Sequence, residues 1–155
     1  MQEVSLTWYE LKLAADVGVL RNVEALSKNR KGTFEGGKST WDAHILGACG
    51  EMAFAKAFGL YWEAGVNTFK TGGDVCTVEV RTRAQHDWEL IVRDDDPDGR
   101  VYFLVTGGPE KFRLHGWIKS EDARRPEWRQ NHGGYKPAYF VPHSALKSLD
   151  QLIAL

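Results

Sequence analysis

The chain has 155 residues, 43% of them hydrophobic and 26% charged, with six Trp, five Tyr and seven Phe. That length suits one domain, 1–155, with a real core, and that much apolar material excludes disorder. The net charge of −1 gives no global attraction to nucleic acid, so any such contact must come from local basic patches.

Two cysteines, Cys49 and Cys76, are too few for a disulfide framework or a cysteine-based zinc site. Apolar runs are too short to span a membrane, and the first residues lack a basic-then-apolar signal pattern, so a soluble cytoplasmic protein with no membrane partner is expected.

The first predicted element is a helix opened by a capping box, Thr7 with Glu10, and a hydrophobic staple, Leu6 with Leu11. Trp8, Leu11, Ala15, Val19, Val23 and Leu26 recur at helical spacing and are its expected core face. A basic, glycine-containing loop follows over 28–37. A second helix starts near Ser39 or Thr40, where Ser39 with Asp42 resembles another capping box, and stops at Gly59. It is apolar nearly all round, which predicts burial.

After Gly73 the period changes to two. Over 77–83, Val78 and Val80 face one way and Glu79, Arg81 and Arg83 the other. Further strands are predicted over 89–93, 101–106 and 112–118, joined as a meander by the turn at 94–99 and the break at 107–109. A short helical or irregular stretch over 120–129, an edge strand over 139–141 and a closing helix from Ser144 complete the order. Two helices, several strands and then small helices make an α+β chain with a mixed or antiparallel central sheet.

Glu51 lies on a helix stripe with Gly47, Ala48, Phe54, Ala55 and Phe58. A carboxylate among small and apolar residues is buried only when paired, hydrogen-bonded or bound to metal. Asp74 follows Gly72-Gly73, and Glu79 sits mid-strand. Five positions apart, they face opposite sides of an unbroken strand, whereas a tight turn or bulge between them would put both on one side.

The pattern of Gly50-Glu51 in a helix, then Gly-Gly-Asp, then Glu79-Val80-Arg81 in a Val-rich strand resembles the PD-(D/E)XK nuclease superfamily. Gly116-Trp117-Ile118 and Tyr139-Phe140-Val141-Pro142 look similar to small phage-encoded members. The resemblance implies a restriction-endonuclease-like α/β sandwich: a central mixed sheet flanked by helices, with two N-terminal helices before the sheet. It implies a nuclease acting on DNA with Mg²⁺ or Mn²⁺, held by Asp74 and Glu79, by Glu51 directly or through water, and by the carbonyl of Val80. Glu51, Asp74, Glu79 and Arg81 would be the catalytic set. Many such folds act as dimers, so a homodimer is a further expectation.

Arg81 stands where that family has Lys. It keeps the charge and can grip a phosphate, but it stays protonated and cannot serve as a base. The alternative is therefore a nuclease-fold nucleic-acid-binding module without cleavage. Lys56 and Lys70 are the candidates for a displaced ammonium. For nucleic-acid contact the basic residues are Arg30, Lys31 and Lys38 in one region, Arg83 beside the carboxylates, and Arg125 and Arg129 interleaved with Trp128.

Residues 32–39 satisfy the phosphate-loop pattern, yet a charged helix end precedes them where a buried strand is needed, so a nucleotide binder ranks third. Asp94, Asp96 and Asp98 mimic a calcium loop, but Val105 stands at its twelfth position, and a polar turn is the better reading. The five histidines form no metal-type pair.

Overall fold

The computed structural model describes residues 1–28, 40–66, 73–132 and 136–152. A short strand the sequence reading did not foresee, β1 (Gln2–Val4), comes first. Then come α1 (Trp8–Ser27), α2 (Thr40–Phe58), β2 (Val78–Arg83), β3 (Leu90–Arg93), β4 (Val101–Gly108), β5 (Lys111–Lys119), α3 (Ser120–Ala123), β6 (Arg129–Gln130), β7 (Ala138–Val141) and α4 (Leu149–Leu152). The chain is α+β with a mixed sheet. Among the described residues no helix is long and apolar enough to cross a membrane.

The main sheet has the order β1-β5-β4-β2, with β2 parallel to β4 and the other pairings antiparallel. A second, antiparallel sheet has the order β3-β7-β6. The expected meander is thus only half right: β4 and β5 form a hairpin, but β3 leaves to pair with β7. The strand at Ala138–Val141 is consequently central in its sheet, not an edge. Because β1 precedes α1, the two long helices are not the first elements.

Both layers meet at β4, buried along nearly its whole length. Phe103 and Val105 join the core under α2 with Ala48, Ala53, Phe54, Phe112 and Leu114. Tyr102 and Leu104, on the opposite face, join Leu90, Val92, Ile118 and Val141 beneath the second sheet. A strand buried on both faces must be a continuous apolar run, and 101–105 is one.

The Thr7–Glu10 capping box forms, with the Thr7 amide donating to Glu10 Oε2 at 2.7 Å and the Glu10 amide to Thr7 Oγ1 at 3.3 Å. The Ser39 half of the second proposed box lies outside the described residues. The core face of α1 is not the expected one. Ala14, Val17, Gly18 and Asn22 are buried, while Trp8, Val19, Val23 and Leu26 are exposed. Gly18 explains the rotation: a Cβ there would lie 2.5 Å from the Ile45 Cα and 2.8 Å from the His44 carbonyl oxygen. The two helices cross backbone to backbone, which only the small-residue face of α1 permits. On α2 the prediction holds, with 48–51 and 53–55 buried. At the C-terminus, the closing helix expected from Ser144 is a 3-10 turn (His143–Ala145) followed by the four-residue α4.

Candidate active site

Three local events assemble the carboxylates. Gly50 lets α2 settle onto β2, since a Cβ at Gly50 would fall 1.9 Å from Thr82 Oγ1. That contact seats Glu51 over the strand carrying Glu79. Ahead of β2 the chain doubles back in a two-residue hairpin. Val75 and Val78 exchange both backbone hydrogen bonds, at 3.2 and 3.0 Å, and Cys76 takes φ +56° in the turn. Gly73 closes onto the same turn, its amide donating to the Cys76 carbonyl at 2.9 Å, which brings Asp74 beside the start of β2. Asp74 is then locked by its Oδ2, which accepts from the Val80 amide at 2.8 Å.

Glu51 is only 4% exposed. Its two oxygens accept a bidentate pair from Arg21, Nη1 at 2.5 Å and Nη2 at 2.7 Å, and Oε2 also accepts from Trp62 Nε1 at 3.0 Å. Burial is thus compensated by the Arg21 guanidinium and the Trp62 hydrogen bond. Glu79 faces Arg100, at 3.7 Å. Arg81 turns to Asp96, which it meets at 2.7 Å, with its guanidinium 5.0 Å from the Tyr102 ring centroid.

Asp74 is the electrostatic centre of this group. Burial, then the charges of Glu51 and Glu79, push its carboxyl up to about 7, against the partial relief of the Val80 amide and Arg81. Burial also raises Glu79, with Arg81 and Arg100 opposing. Three acids therefore sense one another. Among the described residues no cation is in direct ion-pair contact with Asp74, and its oxygens, with those of Glu79, are of the hard kind a divalent cation takes.

In comparisons with known proteins, no family model, no curated protein and no solved structure matches the chain.

The fit to a metal is therefore judged on the donor set alone. Among the described residues no group of three or more His, Cys, Asp and Glu side chains is drawn close enough to hold an ion. Asp74 and Glu79 fit as two carboxylate ligands. Glu51 fits only if Arg21 lets go, and Val80 reaches the site through its amide N–H.

The remaining sequence candidates divide clearly. Arg83 stacks over Trp88, 4.8 Å from the ring centroid, and donates to the Glu89 carbonyl at 3.1 Å. Arg125 lies 4.8 Å over Trp128, and Arg129 pairs with Asp94 at 2.8 Å. Arg30, Lys31, Lys38, Lys70 and the loop at 32–39 lie outside the described residues. Lys56 is engaged by Glu10 at 2.7 Å, which removes it as a substitute for the family lysine. The calcium-like acids serve arginines instead, Asp94 with Arg129, Asp96 with Arg81, and Asp98 with Arg124.

Arg21, Trp62 and Arg100 escaped the sequence reading, and so did the pairing of Asp96 with Arg81. Arg21 could have been found, being one turn beyond Gly18 and two beyond Ala14 on the small-residue face. Trp62 and Asp96 sit in connections, where spacing carries no signal.

Proposed function

We propose that the protein is a metal-dependent nuclease of restriction-endonuclease-like fold, cutting DNA phosphodiesters in the cytoplasm, as small phage-encoded members do. The observation that carries this reading is the Asp74–Glu79 hairpin under Glu51. A hairpin at Val75–Val78 separates Asp74 from Glu79, and the charges of both Glu51 and Glu79 reach Asp74 and help raise it. Nothing in the packing alone calls for that repulsion, and a stable fold would relieve it by substitution.

Bound there, Mg²⁺ or Mn²⁺ would neutralise charge on the transferring phosphate and lower the pKa of an attacking water. Asp74 and Glu79 would be its ligands. The Val80 amide fixes the Asp74 carboxylate, and Arg100 holds Glu79. Arg81 supplies fixed positive charge from the same strand face, in place of the ammonium the family uses.

The second reading, a binding module of the same fold without cleavage, is favoured by a specific pair of contacts. Arg21 occupies both oxygens of Glu51, and Asp96 occupies Arg81. Incubating the protein with single-stranded, double-stranded and branched DNA in Mn²⁺ or Mg²⁺ separates the two. Cleavage lost in Glu79→Gln and Asp74→Asn supports the enzyme. Calorimetric Mn²⁺ binding without cleavage of any substrate supports the module, and neither binding nor cleavage ends both.

A further inference from the structure

The crossing at Gly18 leaves α1 with a solvent side unlike that of an ordinary surface helix. Trp8, Tyr9, Leu13, Leu20, Val23 and Leu26 are each between 48% and 65% exposed. Tyr9, Leu13, Leu20 and Val23, with Asp16 and Ser27, fall at alternating steps of four and three residues. That is the seam on which helices pair at a shallow angle. Beyond Leu13 the surface continues into a groove of about 420 Å³ lined by Met52, Leu60 and Tyr61, with Glu10, Lys56 and Glu63 also on its walls.

We propose that this face is a self-association surface, and that its occupant is α1 of a second copy of the chain. The area fits. Six half-exposed apolar side chains and Tyr61 present on the order of 800 Å², more than a monomer ordinarily shows as one patch and about what each partner gives a standard interface. The charge fits as well. Asp16, the one charge in the seam, is paired with Lys12 at 2.6 Å, and Lys28 pairs with Glu24 near the helix end, so the charges on this face are neutralised from within. A nucleic acid or an acidic membrane would need an uncompensated basic face, which this helix lacks. What it matches is another neutral, apolar helix with the same seam, and an isologous contact supplies one. Trp8 and Tyr9, already stacked with ring centroids 3.6 Å apart, give the contact a pre-ordered aromatic anchor. Neither the carboxylates nor a metal enters this contact.

Sedimentation equilibrium from micromolar to near-millimolar protein tests it. The full chain should sediment at twice its 17.5 kDa. Leu20→Glu and Leu13→Glu should each weaken association by roughly a hundredfold or more, because an isologous contact counts every substitution twice. Unchanged circular dichroism and melting in these surface variants would show that the monomer still folds. A wild-type chain that stays monomeric throughout overturns the proposal. So does a dimer that survives both variants.

Discussion

Arg21 and Glu51 form the most consequential side-chain pair among the described residues. Breaking it from one side leaves a buried charge, so Arg21→Met should lower the unfolding free energy by about 3–5 kcal/mol, whereas replacing both ends, Arg21→Met with Glu51→Leu, should cost far less. Urea unfolding of the two singles and the double decides this, and equal losses in all three would mean the pair is merely adjacent. The relevance to function is direct, since Arg21 holds the oxygens that a cation would need. Cys76 offers a second test at this scale. Its φ of +56° is a conformation glycine adopts without penalty. Cys76→Gly should therefore stabilise the hairpin by up to about 1 kcal/mol, and it should leave the hydrogen bond from the Val80 amide to Asp74 intact. A loss of stability on melting would show that the turn is held by the thiol side chain rather than by its backbone.

At the scale of elements, one glycine sets the orientation of α1. Gly18→Ala raises helix propensity by about 1 kcal/mol. The added methyl, however, must displace the Ile45 backbone, which would stand 2.5 Å away. The steric term should win, for a net loss of about 1–3 kcal/mol by chemical denaturation, and α1 should move off α2. A more stable variant would mean the helices have room to slide. The same glycine accounts for what the sequence left hidden. Hydrophobic periodicity located α1 and its capping box correctly, because Thr7, Glu10 and the repeat of large apolar residues are local signals. It chose the wrong face, because the period gives the apolar side and not the side that meets a neighbour. Here backbone approach at Ala14 and Gly18 outweighed side-chain burial, and of the expected residues Leu11 packs on the core while Trp8, Val19, Val23 and Leu26 face outward. Strand β2 was legible from its alternation. The departure of β3 to a second sheet was not, since Leu90 and Val92 read identically whether they pair with Val101–Gly108 or with Ala138–Val141. Of the site, the turn between Asp74 and Glu79 is present, while Arg21 and Trp62 reach Glu51 from sequence distances of 30 and 11 residues, which no local pattern encodes.

At the scale of the whole molecule, two half-buried groups, Asp74 and His115, act on stability in opposite directions. Asp74 is pushed up to about 7 by burial and by its neighbouring acids. Between about pH 4 and 7 the folded chain therefore holds a proton the unfolded chain has released, and stability falls as pH rises through that window, by about 1.4 kcal/mol per unit. His115 is pushed down to about 4 by burial and by the nearby His143, His86 and Arg113. It sits 2.6 Å from Thr106 Oγ1, which also lies 2.9 Å from His86 Nδ1. One hydroxyl hydrogen cannot serve both rings, so one nitrogen must donate to Thr106 and the other accept from it. Between about pH 4 and 6.5 the unfolded chain takes up a proton that folded His115 refuses, and stability falls as pH drops. Over that shared range the slopes oppose each other, and above about 6.5 only the Asp74 loss continues. Melting temperature against pH should accordingly change less from 4 to 6.5 in the wild type than in variants that remove either group. Asp74→Asn, whose side-chain oxygen can still accept from Val80, should expose the loss toward acid. His115→Gln should expose the loss toward neutral pH. Adding Mn²⁺ at pH 7 should raise the wild-type melting temperature and leave Asp74→Asn unmoved, because a cation between Asp74 and Glu79 removes the repulsion that lifted Asp74. If Mn²⁺ stabilises both proteins equally, the cation binds elsewhere and the carboxylates are a strained polar cluster without a metal's chemistry.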